Sequence, residues 1–160
     1  MRQINPQHID ALLKLINSSP YFRLLNIRVC ELREGYSKIQ VNLEQKHLNP
    51  FGSAHGGVYA SAIDTAAYWA AYCGMDEDAG FTSIDLSVSN LAMVQTGLIT
   101  AEGHAIKTGR SLCLCEAAAA DENGRLLAHG TSKLMVLQGK QSVADAIRAM
   151  GAPALPEKFL

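Results

Sequence analysis

Asp64 is the residue of this chain whose type and position point most directly to chemistry. It is the only charged side chain between Gly56 and Gly74, a stretch that is rich in alanine and apolar on nearly every side. A carboxylate on such a helix costs free energy unless it is paired, hydrogen-bonded or beside a hydrated cleft, and functional sites tolerate that cost. The residue type suits a general base or a nucleophile. The alternative is a structural aspartate bonded to a hydroxyl one turn away, on Ser61 or Tyr68.

A second candidate group lies at the start of the same stretch, where His55 precedes Gly56 and Gly57. Glycines at a helix start leave backbone N–H groups exposed at the positive end of the helix dipole. Such groups hold an anion or polarise a carbonyl oxygen, as an oxyanion hole requires. The same residues are also typical of a flexible turn that lets a helix pack, with His55 as a capping or packing residue.

The spacing of these two groups limits how they could act together. Gly56 and Asp64 are eight residues apart, which is about 12 Å along a helix at ~1.5 Å per residue. A carbonyl group held at Gly56 therefore cannot also meet Asp64 of the same chain at a contact distance of about 3 Å. If both residues act on one substrate, they come from antiparallel helices of neighbouring subunits, and catalysis requires a dimer.

The elements that must position these residues follow from the hydrophobic pattern. Asn5 and Pro6 predict the start of a first helix, and residues 56–74 predict one long helix that is buried on most sides. Alternating apolar residues bounded by turn signals predict strands over residues 27–34, 39–43, 81–91, 98–107, 110–120 and 126–137, and a short last helix over 142–150. Within the third strand, the alternation places on one face Ile84, Leu86 and Val88 and on the other Ser83, Asp85, Ser87 and Ser89.

Consecutive strands after a lone helix imply an antiparallel sheet and the α+β class. The expected fold is a hotdog fold, a curved antiparallel sheet of five or six strands wrapped around one long buried helix. Residues 1–138 are expected to form this domain with its N-terminal helix, and residues 139–160 a short helix and tail.

Composition and charge narrow the function classes. A chain of 160 residues with a net charge of −1 and no basic run has the size of one globular domain and lacks the basic face of a nucleic-acid-binding protein. We expect a cytoplasmic protein, because no signal segment is visible. A membrane span is not expected, because the apolar residues 56–74 are barely long enough to cross a bilayer and include the ionisable Asp64. The cysteines form no Cys-x-x-Cys pair and are expected to be free thiols. No metal site is expected, because no ligand spacing relates His47, His55, His104 and His129.

Three segments together resemble the PaaI-like acyl-CoA thioesterases of the hotdog superfamily. Residues 49–57 read Asn-Pro-Phe-Gly-Ser-Ala-His-Gly-Gly and precede Asp64 in its alanine-rich helix, residues 82–87 read Thr-Ser-Ile-Asp-Leu-Ser, and residues 108–111 read Thr-Gly-Arg-Ser. The resemblance runs over most of the chain. It departs after Asn90, where the Arg-Pro step that members often carry is absent.

The resemblance implies hydrolysis of acyl-CoA to a free acid and coenzyme A, with no cofactor beyond the coenzyme A of the substrate. It implies that Asp64 is the general base or nucleophile and that the N–H of Gly56 polarises the thioester carbonyl. Asn49 would lie near the attacking water or the carbonyl, Ser83 would help to hold the water, and His55 would orient the loop. The residues expected to bind substrate are Gly57, Tyr68, Gly109 and Arg110.

The expected partners are an acyl-CoA with an aromatic or medium-chain acyl group and further copies of the chain, as a homodimer or a dimer-of-dimers tetramer. A hotdog hydratase or dehydratase is disfavoured, because those families use a histidine with a carboxylate at a helix start unlike the one found here. A non-catalytic hotdog protein that binds acyl-CoA as a sensor or scaffold remains the alternative function. General-base and covalent routes through Asp64 are both open.

Overall fold

The computed structural model of the protein describes residues 2–76 and 79–160. Its elements in chain order are α1 (Pro6–Asn17), α2 (Pro20–Leu25), β1 (Ile27–Arg33), β2 (Tyr36–Asn42), a 3-10 turn (Gln45–His47), α3 (Gly56–Tyr72), β3 (Ala79–Asn90), β4 (Leu98–Thr108), β5 (Leu112–Ala120), β6 (Leu126–Gln138) and α4 (Val143–Met150).

The six strands of the described residues form one antiparallel sheet in the order β1-β2-β4-β5-β6-β3. The sheet curves around α3, which contacts every strand and is buried along most of its length. This is the α+β hotdog fold that the sequence predicts. The core fills the space between helix and sheet, and its fully buried side chains include Ile39, Val41, Ile63, Ile99, Leu127 and Leu134.

The sheet and α3 approach each other closely enough for backbone contact. A Cβ atom on Gly103 of β4 would lie 2.2 Å from the carbonyl oxygen of Ala66 in α3, which leaves no room for a side chain. The hydroxyl of Ser37 on β2 donates a hydrogen bond to the same carbonyl at 2.6 Å. The alanine-rich composition of α3 follows from this spacing, because larger residues would hold the sheet away from the helix.

Most element boundaries agree with the sequence-based predictions. The start of α1 is confirmed, since the Asn5 side chain accepts a hydrogen bond from the N–H of Gln7 at 3.0 Å and Pro6 occupies the first helical position. The sequence-based prediction lacks α2, because a helix of six residues is too short to show a helical period.

The strict alternation predicted for β3 is wrong at one point. A β-bulge lies between Ser83 and Asp85, so Ile84 is an extra residue opposite β6. Beyond the bulge, Leu86 pairs with the buried Ser132, and Ser83 before it pairs with the buried Leu134. Ser83 and Leu86 therefore both face α3, although they are three residues apart.

The C-terminal tail returns to the far end of α3. Lys158 is fully buried, and its ammonium group donates hydrogen bonds to the carbonyl oxygens of Tyr72 at 2.8 Å and Met75 at 2.7 Å. A cation at this place is favoured by the negative end of the helix dipole. The backbone of Lys158 accepts a hydrogen bond from the N–H of Asn5 at 2.9 Å, so the two chain ends are joined beside α3.

The four cysteines are free thiols, as the sequence predicts, and three of them are buried. Burial raises the pKa of Cys73 to about 11 and that of Cys115 to about 12, because the thiolate form is disfavoured away from water. In the described residues, no helix combines the length and the apolar character that a bilayer span requires.

The close contact at Gly103 generates a stability prediction. Gly103→Ala is expected to lower the free energy of unfolding by about 1–3 kcal/mol, because the new methyl group forces helix and sheet apart. Urea unfolding followed by circular dichroism measures this change. Gly74→Ala is the matched control, because its Cβ would meet nothing nearer than 3.8 Å. Equal midpoints for the two variants would contradict the close contact.

Candidate active site

One face of α3 is left uncovered by the sheet and carries the polar side chains of the helix. Ser61, Asp64 and Tyr68 are spaced three and four residues apart, so they lie on one face, and all three are half-buried. Asp64 lies in the wall of a cavity of about 430 Å³, whose other wall residues include Tyr21 and Phe22 of α2. The carboxylate therefore stands beside an open cleft, which satisfies the condition for placing a charge on this helix.

The Asp64 carboxylate is oriented by β3. The hydroxyl of Ser83 donates a hydrogen bond to Asp64 Oδ1 at 2.8 Å. The β-bulge after Ser83 allows this contact while it leaves the neighbouring Asp85 on the outer face, 2.8 Å from Lys133. One oxygen of Asp64 is thus held in place by the protein, and the arrangement suits a base or nucleophile whose other oxygen meets substrate or water.

The start of α3 presents one free backbone donor. His55 caps the helix, and its Nδ1 accepts a hydrogen bond from the N–H of Gly57 at 2.9 Å. The N–H of Val58 is bonded to the carbonyl of His55 at 2.9 Å. Within residues 2–76 and 79–160, the N–H of Gly56 has no hydrogen-bond partner. The sequence-based expectation of two exposed glycine N–H groups is wrong for Gly57, because the imidazole occupies its N–H.

Asn49 organises the loop that leads to this helix start. Its Oδ1 accepts hydrogen bonds from the N–H groups of Phe51 at 2.9 Å and Ser53 at 3.2 Å. The backbone of His55 is tied to the same loop, since its N–H donates to the carbonyl of His47 at 2.9 Å. These bonds leave the NH₂ group of Asn49 as the part of its side chain that could donate to a ligand.

The predicted site residues fall into three places in one chain. Asp64, Ser83 and Tyr68 lie together at the middle of α3. Asn49, His55, Gly56 and Gly57 form or adjoin the helix start, about 12 Å away along the helix. Gly109 and Arg110 form the turn after β4, which lies near the other end of α3, where the methyl group of Thr108 is close to Gly74. A single chain therefore does not bring Gly56 and Asp64 together.

The structure adds residues that the sequence analysis does not assign to the site. The Tyr21 hydroxyl is hydrogen-bonded to the Ser61 hydroxyl at 2.7 Å and joins α2 to the uncovered face of α3. The side chain of Asn90 lies against the helix start, where a Cβ on Gly56 would come within 2.8 Å of Asn90 Nδ2. Tyr21 lies in α2, and a helix of six residues is too short to be predicted from its pattern. Asn90, thirty-four residues after Gly56, carries no local signal of this contact.

Tyr68 is a neutral group in this site. Its pKa is raised to about 12, chiefly because burial disfavours the phenolate and in part because Asp64 lies nearby, against a lowering effect of the Phe81 backbone. Its ring packs edge-on against Trp69 and Phe81, with centroids 5.2 and 5.4 Å away. Tyr68 thus forms an apolar wall of the cleft beside the carboxylate. Across the described part of the chain, no three side chains of His, Cys, Asp or Glu are grouped to hold a metal ion.

The known proteins to which this chain is similar in sequence point to one family. The family model of the thioesterase superfamily matches residues 51–128, a segment that includes Gly56, Asp64 and Ser83. A 1,4-dihydroxy-2-naphthoyl-CoA hydrolase from Listeria monocytogenes is 30% identical over 103 residues, which covers 64% of this chain and 84% of the relative. The mouse acyl-coenzyme A thioesterase 13 is 25% identical over 130 residues, covering 78% of this chain and 91% of the relative.

Solved structures share the fold. A thioesterase from Haemophilus influenzae superposes with a TM-score of 0.76 at 21% identity, covering 82% of this chain and 91% of that chain. A thioesterase family protein from Silicibacter pomeroyi gives a TM-score of 0.75 at 24% identity, covering 82% of this chain and 99% of that chain. The solved structures share the fold, and the sequence relatives show that the chain belongs to the thioesterase superfamily and is a hydrolase of thioesters.

Proposed function

We propose that the protein hydrolyses acyl-CoA thioesters at a site shared by two subunits, with Asp64 of one subunit and the N–H of Gly56 of the partner subunit acting on one substrate. The observation that carries this proposal is the setting of Asp64, the one charged residue of α3, which is bonded to Ser83 at 2.8 Å and faces a cleft. The names of the Listeria and mouse relatives, which both refer to a CoA thioester, support coenzyme A as the thiol part of the substrate.

The reaction consumes one water and releases a carboxylic acid and the thiol of coenzyme A. In the general-base route, Asp64 takes a proton from water, the hydroxide attacks the carbonyl carbon, and the C–S bond breaks as the thiolate leaves and is protonated. In the covalent route, a carboxylate oxygen of Asp64 attacks first and forms a mixed anhydride, which water then hydrolyses. The N–H of Gly56 stabilises the oxyanion in both routes, aided by the positive end of the α3 dipole.

The two edges of the sheet support association through β3. At the β1 edge, Asn17 occupies both backbone groups of the central residue Val29, because its side chain donates to the carbonyl of Val29 at 2.9 Å and accepts from the N–H of Val29 at 2.8 Å. At the other edge, β3 pairs with β6 on one side, and its residues 83–87 are exposed. A long open edge invites pairing with another strand. Two β3 strands paired about a two-fold axis would place two α3 helices antiparallel.

Exposed apolar side chains near β3 support the proposal that this surface is covered by a second subunit. Phe51 in the loop before α3 is 89% exposed, and Met93 after β3 is 76% exposed. Ile84 and Leu91 on β3 or next to it are also exposed. Apolar groups gathered near a functional cleft are typical of a protein interface.

The remaining residues are assigned by the same proposal. Asn49 donates to the attacking water or the carbonyl, His55 holds the helix start, and Ser83 orients Asp64. Arg110 with Gly109 would meet the phosphates of coenzyme A, since an arginine side chain bonds phosphate well and this one is exposed. Gly57 and Tyr68 would line the path of the substrate. The dimer could associate further into a tetramer, and the place of action would be the cytoplasm.

The role of Asp64 generates the first activity prediction. Asp64→Asn is expected to lower kcat by about 10²–10⁴-fold, because the amide keeps the hydrogen bond from Ser83 but neither accepts the proton nor attacks. Release of coenzyme A from a panel of aromatic and aliphatic acyl-CoAs, followed with a thiol reagent, measures the rate. Asp10→Asn on the exposed side of α1 is the control for loss of one carboxylate. Full activity in folded Asp64→Asn would contradict the proposed role of Asp64. Tight binding of acyl-CoA by the wild type without turnover would favour the alternative function as a sensor or scaffold.

The free N–H of Gly56 generates the second prediction. Gly56 is the first residue of α3, and His55 before it has φ −64° and ψ 139°, a conformation that permits proline at position 56. Gly56→Pro removes the N–H and is expected to lower kcat about 10²–10³-fold below Gly56→Ala. Gly56→Ala is the matched control, because it retains the N–H and presses the same Cβ against Asn90. Equal rates in the two variants would exclude this N–H as the oxyanion donor.

Sharing of the site between subunits generates the third prediction. Asp64→Asn and Gly56→Pro are both expected to be inactive alone. After subunit exchange, half of the dimers contain one chain of each kind, and each of these has one intact site, so about a quarter of wild-type activity should return. The measurement is coenzyme A release before and after mixing, with mixed dimers counted by differently tagged chains. If coenzyme A release does not recover in a sample that contains mixed dimers, the site is not shared, and both residues act within one chain.

A further inference from the structure

A second cavity lies behind the Asp64 cleft, beside the second half of α3. It has a volume of about 510 Å³ and lies between α1, α3, α4 and the start of β3, with apolar walls that include Leu12, Leu15 and Ile16. A cavity of this size and lining is of the kind that holds the apolar part of a small molecule.

The roof of this cavity is a helix whose apolar face is not closed by protein. Val143, Ala146 and Met150 of α4 recur at helical spacing and face the cavity, yet none of the residues of α4 is buried. An amphipathic helix gains its stability by burying such a face. The structure of the chain therefore leaves an apolar surface whose burial needs an occupant.

α4 is a well-capped helix that follows a turn packed against β3. Ser142 and Asp145 form a capping box at its start, and Gly151 ends it in the left-handed conformation with φ 61°. The turn before α4 passes so close to β3 that a Cβ on Gly80 would lie 2.0 Å from the carbonyl oxygen of Lys140. The cavity is therefore a fixed feature of the fold and does not come from a loosely attached tail.

The cavity continues into the cleft at Asp64. Four residues line both spaces, and they are Phe22, Tyr68, Trp69 and Gln141. Tyr68 stands one helical turn after Asp64 in this shared wall. A group attached to a carbonyl at Asp64 would therefore enter the cavity past these aromatic rings.

We propose that this cavity, the acyl chamber, holds the aliphatic chain of a medium-chain acyl-CoA, with α4 as its roof. The assignment rests on the proposed function, which puts the thioester carbonyl at Asp64. A methylene is similar in size to a water, which takes about 30 Å³, so the chamber of about 510 Å³ has ample room for the carbon chain of a dodecanoyl group. Asp145 in its wall, bonded to Ser142 and Arg148, disfavours an acyl group that ends in a carboxylate.

A pair of equal substitutions on α4 tests the acyl chamber. Ala146→Leu places three more carbons in the chamber, whereas Ala144→Leu makes the same change on the exposed side of the helix. In the wild type, kcat/KM is expected to rise about fourfold for each methylene that enters the chamber. Ala146→Leu should lower kcat/KM at least tenfold for dodecanoyl-CoA, leave butanoyl-CoA unchanged and shift the preferred chain to a shorter one. Ala144→Leu should match the wild type. An equal loss at every chain length, or no loss in Ala146→Leu, would overturn the proposal.

A binding measurement separates this proposal from the proposed function. Trp69 is the single tryptophan of the chain and lines the acyl chamber, so its fluorescence reports occupancy without turnover. Dodecanoate is expected to shift Trp69 emission in the wild type and Ala144→Leu, and at least tenfold more weakly in Ala146→Leu. If dodecanoate binds in this way but no acyl-CoA is hydrolysed, the proposed function fails and the chamber stands. If acyl-CoA is hydrolysed but dodecanoate leaves the emission of Trp69 unchanged, the chamber proposal fails. It also fails if the emission changes only with protein concentration, because a second copy of the chain would then be what covers α4.

Discussion

The contact between the backbone of the sheet and the backbone of α3 is the constraint on which the rest of the structure depends. Ser37 donates a hydrogen bond to the carbonyl of Ala66 at 2.6 Å, and Gly103 lies so near this carbonyl that a Cβ would stand 2.2 Å from it. Only small residues permit this approach, so the side of α3 that meets the sheet is built from alanine and the facing strands carry glycine. The single charged residue of the helix, Asp64, lies on the side that the sheet leaves uncovered.

That uncovered side contains the candidate chemistry because it is the place where a carboxylate can stay hydrated. Asp64 is bonded to Ser83 and faces a cleft, and the bulge in β3 aims Ser83 at it while Asp85 stays outside. The same side is bordered by the open β3 edge, whereas at the β1 edge Asn17 occupies the backbone groups of Val29. This difference between the two edges is the basis on which we propose association through β3, beside the carboxylate.

The sequence by itself was sufficient for the main elements and for the candidate residues. The long buried helix, its lone carboxylate and the six strands are all readable because hydrophobic period and turn residues are local properties. The separation of Gly56 and Asp64 is equally local, since eight residues of helix have a fixed length of about 12 Å. The resemblance of residues 49–57 and Asp64 to a thioesterase motif agrees with the superfamily to which the chain belongs. The six-residue α2 was out of reach, because it is shorter than two helical turns.

Only the tertiary structure decided which groups meet across the chain. The occupation of the Gly57 N–H by His55, the contact of Asn90 with Gly56, and the burial of Lys158 at the end of α3 all depend on three-dimensional packing. The bulge that turns Ser83 and Leu86 to the same face breaks the period of two from which strands are predicted. The acyl chamber has the same origin, because its walls come from all four helices and from the start of β3, which are distant in sequence and meet only in the folded chain. Local pattern determines elements, but long-range packing determines cavities and hydrogen-bond partners.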